Sequence, residues 1–427
     1  MILKFEEFKK ENLINKELND IRVKNFKKFE TQGFPSKKQE NWKYTDLKTI
    51  ISRNFNNLEI VDNKKSSKYN NKFLIKNFEH NKIILLNGNF VDKDFSFENE
   101  KKINIQSLKE VLEDKKNFKK IKFFFEDNEN SLVSLNHALT NDGIILEIKD
   151  DYKFNKPLIV YNFFDKSSQH KIINNKVAIS LGKNSKLTLV DFYLPENKLK
   201  YFNNTVHNYN IEKDAILKKF IISDGFDNSY TYNLTKVRSY SNSLFENFLF
   251  SSGPSFIKNE IECDLLESFS SCFINGIILL NKKQHHELKT KVNHKYENCK
   301  SSQLIKSVLL DNSTGTFQGK IYVNKNAQKT NGYQLSKALL LSKNSEFNSK
   351  PELEIYADDV KCSHGSTTGN IDEDSIFYLM SRGLSREKAS KMLIEGFLND
   401  AIETITEENI KSLIFKLFIN KINKIEI

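Results

Sequence analysis

The chain has 427 residues, 38% of them hydrophobic and 28% charged, with 34 Phe and 15 Tyr, an aromatic content that excludes a disordered chain. Only 14 Gly and 5 Pro exclude collagen-like and proline-rich architectures, and the length exceeds the roughly 250–300 residues at which one core stops growing, so more than one structural region is expected. The excess of 66 Lys+Arg over 55 Asp+Glu, a net +11, is spread as lysine among Glu, Asp and Asn without an Arg-rich stripe, so no nucleic-acid partner is expected.

Met1-Ile2-Leu3-Lys4-Phe5-Glu6-Glu7 places acids where a signal peptide is apolar, and no stretch approaches the roughly 18–20 apolar residues of a membrane helix. The expectation is a soluble, cytoplasmic protein without a membrane partner. Phe5, Phe8, Leu13, Leu18, Ile21, Phe26 and Phe29 recur at helical spacing until Gly33-Phe34-Pro35 breaks the pattern. Glu40-Asn41-Trp42-Lys43-Tyr44-Thr45-Asp46 follows with the single tryptophan, read as a packing anchor between these helices and the rest. Lys82 to Phe90 reads as a short strand and turn, and Asn136 to Leu139 as a helical turn.

From about Gly143 to about Gly369 the texture changes to short β-branched and aromatic runs between polar corners. A small or acidic corner residue precedes an apolar one by two positions at Ser185/Leu187, Asp214/Ile216, Asn242/Leu244, Ser271/Phe273, Ser302/Leu304, Gly315/Phe317 and Ser345/Phe347. The apolar members are 29, 28, 29, 31, 13 and 30 residues apart, and the 13 fits a unit of two strand-plus-corner halves marked once out of phase. A β-sandwich also supplies short strands, but Asn-Gly hairpin signals are scarce, so a parallel β-helix is expected.

The chain then turns helical again. Asp372 can cap a helix through Ile376, Leu379 and Met380 that ends at Gly383, and Ser385 can start one through Ala389, Leu393 and Phe397. A third begins at Thr406, with Ile405 and Ile410 as a hydrophobic staple. These flanking helices are expected to cap the terminal coils against end-to-end pairing.

The chain lacks GxxxxGK[ST], a GxGxxG after a strand, GxSxG, HExxH and CxxC, so nucleotide hydrolysis by this chain is not expected. Cys263, Cys272, Cys299 and Cys362 have no disulfide-framework spacing and fit a reducing compartment. His285, His286 and His294 crowd one stretch. In a strand His286, Thr290, Val292 and His294 share a face, but eight residues of strand span about 26 Å, so structural histidines are expected rather than one metal site. Cys362 and His364, two apart, also share a strand face and offer a thiolate with an imidazole. They could hold iron or an iron–sulfur species if another chain supplied more ligands, and the residues alone leave a packing role open. Asp358-Asp359 is the tempting carboxylate pair for a β-helix polysaccharide enzyme, yet strand neighbours point to opposite faces.

Lys320-Ile321-Tyr322-Val323, Ala327-Gln328-Lys329-Thr330 and Tyr333-Gln334, then Lys350-Pro351-Glu352 through Tyr356-Ala357-Asp358-Asp359-Val360-Lys361-Cys362-Ser363-His364-Gly365, closely resemble the SufB/SufD family of iron–sulfur cluster assembly scaffolds. Phe377-Tyr378-Leu379-Met380-Ser381-Arg382-Gly383-Leu384, Gly396-Phe397 and the upstream Glu40-Asn41-Trp42-Lys43-Tyr44-Thr45 extend the likeness over nearly the whole chain, and its wording is closer to the SufD branch than to the SufB branch. The resemblance implies a non-catalytic scaffold: a mostly helical N-terminal region (1–141), a right-handed parallel β-helix (142–365) and a C-terminal helical region (366–427) that binds the ATPase SufC. It further implies one SufB, one SufD and two SufC per complex, with SufB paired through β-helix strands. The nascent cluster would lie near His364, with Cys362 beside it, while sulfur reception belongs to a SufB cysteine. A reduced flavin on the complex and a homodimer of the isolated chain stay open, as does a SufB-type sulfur-accepting role.

Overall fold

The computed structural model describes residues 16–61, 69, 74–114, 118–119, 121–126, 128–195, 198–225 and 228–425. Helix α1 (Lys16–Gln32) buries Leu18, Phe26 and Phe29 from the expected apolar rhythm, and Gly33 ends it with φ at +68°, the left-handed stop that glycine adopts without a Cβ clash. Phe5, Phe8 and Leu13 lie outside the described residues. A 3-10 turn (Glu40–Trp42) leads to α2 (Leu47–Asn54), whose Thr49 N–H donates to Asp46 Oδ1 at 3.0 Å as its N-cap. After β1 (Glu59–Ile60), the expected strand and turn are β2 (Asn81–Leu86) and the start of a hairpin that β3 (Asn89–Asp94) completes. Asn87 and Gly88 turn it with φ of 51° and 83°, the pair of positive values that a two-residue hairpin demands.

β4 (Ile103–Ser107), α3 (Leu108–Glu113) and α4 (Ser131–Leu139) complete the N-terminal part. Every residue of α4 is buried, and Asn136 is matched there: its Nδ2 donates to the backbone carbonyls of Asn175 and Asn204 at 3.0 and 2.9 Å. A longer helix therefore replaces the single turn read from Asn136 to Leu139.

Next comes a parallel β-solenoid of about 8 turns. One sheet stacks β5 (Asp142–Ile148), β7 (Lys171–Leu181), β9 (Tyr201–Ile211), β11 (Ser229–Ser239), β13 (Phe256–Leu265), β15 (His285–His294), β17 (Thr314–Val323) and β19 (Glu346–Ile355). The other stacks β6 (Leu158–Phe164), β8 (Lys186–Pro195), β10 (Ile216–Asp224), β12 (Leu244–Ser252), β14 (Ser271–Leu280), β16 (Lys300–Leu309), β18 (Thr330–Leu340) and β20 (Val360–Gly369). Paired residues of successive coils are 26 (Tyr230↔Phe256) to 33 (Asp142↔Asn175) residues apart, which brackets the repeat read from the sequence. The odd 13-residue step is the passage from β16 in one sheet to β17 in the other.

The structure keeps Asp214 and Asn242 as corner residues and Leu187 and Phe317 as buried inward ones, but the inward position lies one residue away from the marked Ile216, Leu244, Phe273 and Leu304. A left-handed residue recurs at Asp151, Asn184, Asp214, Asn242, Phe269, Asn298 and Lys329, and the backbone N–H of each donates to the corner of the next coil. Asp and Asn dominate because their short polar side chains tolerate positive φ. Inward positions are thus Leu187, Leu217, Phe245, Cys272 and Ile305, all fully buried, while Ile216, Leu244, Phe273 and Leu304 point outward and are only partly buried. The sequence marked those outward residues because this sheet is apolar on both faces.

The second apolar face is covered by the C-terminal helices α5 (Glu373–Ser381), α6 (Arg386–Ile402) and α7 (Glu408–Asn423). Ile394, Leu398, Ile402, Ile410, Ile414 and Phe418 pack on Phe220, Phe248, Ile277 and Val308 of the solenoid. The expected capping of the terminal coil is therefore not what these helices do at this end: they lie along a sheet face, because burying that face outweighs covering one edge. Asp372 and Ser385 cap α5 and α6 as expected. Ile405 and Ile410 are buried as a staple should be, but Thr406 does not cap α7: its hydroxyl accepts from Lys218 Nζ at 2.6 Å, and Glu407 holds the N-cap without a side-chain bond. Asp372→Ala is expected to cost about 1 kcal/mol of local helix stability, read as faster amide exchange confined to α5; unchanged exchange there would count against the cap.

Candidate functional site

The last coil has no successor. β19 and β20 are the terminal strands of their sheets, so their outer backbone groups are unpaired within the described residues and the solenoid interior opens beside them. On β20 the inward positions are set by register: Cys362 stands against Gly332, His364 against Gln334 and Ser366 against Ser336. The same columns run down the solenoid as Cys272, Ser301, Gly332, Cys362 and as Ile274, Gln303, Gln334, His364. Alternation therefore brings Cys362 and His364 to one face, as their spacing indicated, roughly 6.5 Å apart along the strand.

Their environments differ. Cys362 is half-buried against the terminal apolar cluster of Ile321, Val323, Ala327 and Ala357. A Cβ at Gly332 would lie 3.4 Å from Cys362 Sγ, an ordinary contact. Burial pushes the Cys362 thiol up, only partly offset by a hydrogen bond from the Gly332 backbone. A thiol raised in this way is not an activated nucleophile. His364 is exposed. Beneath it the interior is polar: Gln334 Nε2 donates to the Glu352 carbonyl at 3.2 Å, its Oε1 has no partner, and Ser336 Oγ lies 2.9 Å from Ser349 Oγ and 3.0 Å from Ser366 Oγ. Gly319 makes room for this, since a Cβ there would come 2.4 Å from Gln334 Oε1. Sequence reading missed Gln303, Gln334 and Ser336. Their signal was the coil period itself, 31 residues from Gln303 to Gln334 and 30 from Gln334 to His364.

The other candidates fall away from this site. His286 Nε2–H donates to the Pro254 carbonyl and its Nδ1 accepts from Ser251, both at 2.8 Å. His285 Nε2 bonds Thr45 Oγ1 at 2.9 Å and His294 Nε2 bonds Ser301 Oγ at 2.8 Å. His286 and His294 are buried and His285 is partly buried, all three are taken up in hydrogen bonds within the fold, and burial holds them near 4, 3 and 4 for His285, His286 and His294. Asp358 and Asp359 lie in the corner between β19 and β20, not in a strand; Asp359 serves that corner by accepting from the Lys329 N–H through its carbonyl. Among the described residues no three His, Cys, Asp or Glu side chains converge as a metal set.

Trp42 is the anchor that the sequence suggested. It is buried, stacked on Tyr232 at 5.8 Å, and Lys258 Nζ sits 4.2 Å from its ring centre. Lys258 also pairs with Glu287 and donates to the Asn41 carbonyl at 2.8 Å, while Thr45 Oγ1 donates to Glu287 Oε2 at 2.5 Å. The Glu40–Thr45 motif thus locks the N-terminal part onto the outer face of β13 and β15.

Exposed apolar side chains gather in two places. Tyr333, Ile355 and Tyr356 surround the open coil, and Phe377, Tyr378, Met380 and Met392 stand on α5 and α6, with Phe377 73% exposed. No described helix is long and apolar enough to cross a membrane.

Residues 163–397 match the family model described as SUF system FeS cluster assembly, SufBD core domain, and residues 6–160 match the SufBD protein N-terminal region. The chain is 26% identical over 387 residues to the iron-sulfur cluster assembly protein SufD of Escherichia coli, covering 89% of this chain and 87% of that protein. It is 26% identical over 396 residues to the chloroplastic protein ABCI7 of Arabidopsis thaliana, covering 88% and 80%, and 25% identical over 322 residues to SufD of Bacillus subtilis, covering 70% of each. With a core match that spans the solenoid, the open coil and the first C-terminal helices, the chain belongs to the SufBD family of SUF-system iron–sulfur cluster assembly proteins and is of the SufD type.

Proposed function

We propose that this chain is a non-catalytic scaffold that pairs with SufB along β19 and β20, binds SufC through its C-terminal helices, and offers His364, with Cys362 beside it, to a nascent iron–sulfur cluster that is cargo rather than a resident group. The observation that carries this reading is β20, which places an imidazole and a thiol on the inward face of a coil whose edge is unpaired among the described residues. Two ligands leave a coordination sphere open, so the remaining ligands come from the partner that extends the sheet. Tyr333, Ile355 and Tyr356 supply the apolar border of such an interface.

The division into 1–141, 142–365 and 366–427 goes with this proposal. Region 366–427 is the SufC-binding part, supported by the exposed Phe377, Tyr378, Met380 and Met392. The same helices grip the solenoid: Lys306 Nζ donates to Asp400 Oδ2 at 2.5 Å and to the Phe397 carbonyl at 2.6 Å. ATP-driven SufC dimerisation would act on this grip, shift the SufB interface and open the site to iron and sulfur. Without SufB the same edges would serve a second copy of the chain. The compartment proposed is the reducing cytoplasm, in keeping with four free cysteines.

The test is co-purification with SufB and SufC, followed by anaerobic cluster reconstitution with the parent and with His364→Ala. The expected result is normal assembly of the variant with cluster yield reduced about tenfold or more. Normal yield would reduce His364 to a surface residue, and failure of the parent to assemble would overturn the partner reading.

A further inference from the structure

A second polar site lies far from the open coil, where α4 and the segment Phe123–Glu126 roof the outer face of β7, β9 and β11. The cavity is about 90 Å³, room for roughly three waters at about 30 Å³ each. Register builds its floor: Ala178, Asn208 and Lys236 stand in one row and Ser180, Asn210 and Arg238 in the next. His137 of α4 and the rings of Phe123 and Phe124 form its walls.

Two of its side chains present a buried nitrogen that has no partner. His137 is 3% exposed and its Nδ1 has no partner, and Asn208 Nδ2 is buried without one. Behind this wall Lys176 is 2% exposed; its Nζ lies 4.9 Å from the centre of the Phe125 ring and makes no hydrogen bond. Carboxylates stay at the rim: Glu126 approaches Arg238 at 3.8 Å, and Glu212 accepts from Asn210 Nδ2 at 2.8 Å. Native structures seldom leave buried donors unmatched, and each one costs stability until an acceptor arrives.

We infer that this cavity binds an oxyanion of the phosphate class, held by Lys236, His137 and Asn208, with the buried amine of Lys176 behind them. A tetrahedral oxyanion presents several acceptors at once, which is the complement of such a donor set. The electrostatics agree: burial, then Lys176, Lys236 and Lys28, hold His137 well below the usual imidazole range, and burial with Lys236 holds the Lys176 amine well below its own. An anion relieves that crowding. Phe123 and Phe124 at the mouth decide between a free ion and an aryl phosphate ester.

The experiment is calorimetric titration of the full-length protein, at low ionic strength without other oxyanions, with inorganic phosphate and with phenyl phosphate. One saturable site is expected, weakened roughly tenfold or more by Lys236→Gln, kept by Lys236→Arg and unchanged by the exposed control Lys300→Gln. Tighter binding of phenyl phosphate would assign an ester, and equal binding the free ion; both support the site. No saturable binding, equal binding by Lys236→Gln, or equal weakening by Lys300→Gln, which would indicate screening of the +11 net charge, overturns it.

Discussion

Lys258→Met is expected to lower the unfolding free energy by about 3–5 kcal/mol at neutral pH, the scale for stripping a buried ion of its partner. Lys258 and Glu287 are both fully buried, and a second carboxylate, Glu260, lies 3.7 Å from Lys258. Removing the ammonium leaves the buried Glu287 carboxylate with the Thr45 and Gln318 donors and no cation, while Glu260 keeps Lys289 at 3.8 Å. Burial alone would raise the Glu287 carboxyl, yet Lys258, Thr45 and His285 together hold it below the usual range. The folded form is thus stabilised above the ordinary carboxylate pKa and loses that stability as pH falls through the lower folded value. Methionine keeps an unbranched side chain of similar volume, so the loss reports the charge, including its contact with the Trp42 ring, rather than volume. Chemical denaturation followed by Trp42 emission measures it, and the double variant Lys258→Met with Glu287→Gln should recover much of the loss. A single variant within about 1 kcal/mol of the parent would show that the motif does not depend on this pair.

Lowering the pH from 7.5 to 5.0 is expected to cost about 6 kcal/mol of stability, about 2 kcal/mol from each of His285, His286 and His294. In the unfolded chain each takes up its proton near pH 6.5. In the folded chain burial delays this to about 4, 3 and 4. Between these values the unfolded state binds more protons, so stability rises with pH there and is lost on acidification. His137 and His207, also held well below the imidazole range by burial, act in the same direction. Asp142 and Glu260, raised by burial, act in the opposite one. Denaturation midpoints at the two pH values measure the sum, and His294→Gln should flatten the dependence by about a third. Equal stability at both values would mean that these histidines take up protons in the folded chain as readily as in the unfolded one.

The fold was legible where chain-local rules act. Gly33 stops α1 because its φ is positive, Asp372 and Ser385 cap helices because their side chains reach orphan N–H groups, and the coil repeat emerged because every coil faces the same two neighbours. Cys362 and His364 shared a face by alternation alone. The one-residue slip at the corners has an equally plain cause: with Phe220, Phe248 and Ile277 outward and Leu217, Phe245 and Ile274 inward, apolar character no longer tells one face from the other.

By itself, then, the sequence determined a parallel coil of known period between helical ends, its family, and the pairing of a cysteine with a histidine near the last strand, since each depends on spacing of a few residues or on a repeat. Tertiary structure decided the rest. It laid α6 and α7 along a sheet face, left the last coil open, stacked Gln303 and Gln334 beneath His364, and gathered His137, Asn208 and Lys236 around one cavity. Those contacts join residues from tens to more than a hundred positions apart, and the burial that drives them is non-directional, so no local pattern records which apolar face meets which.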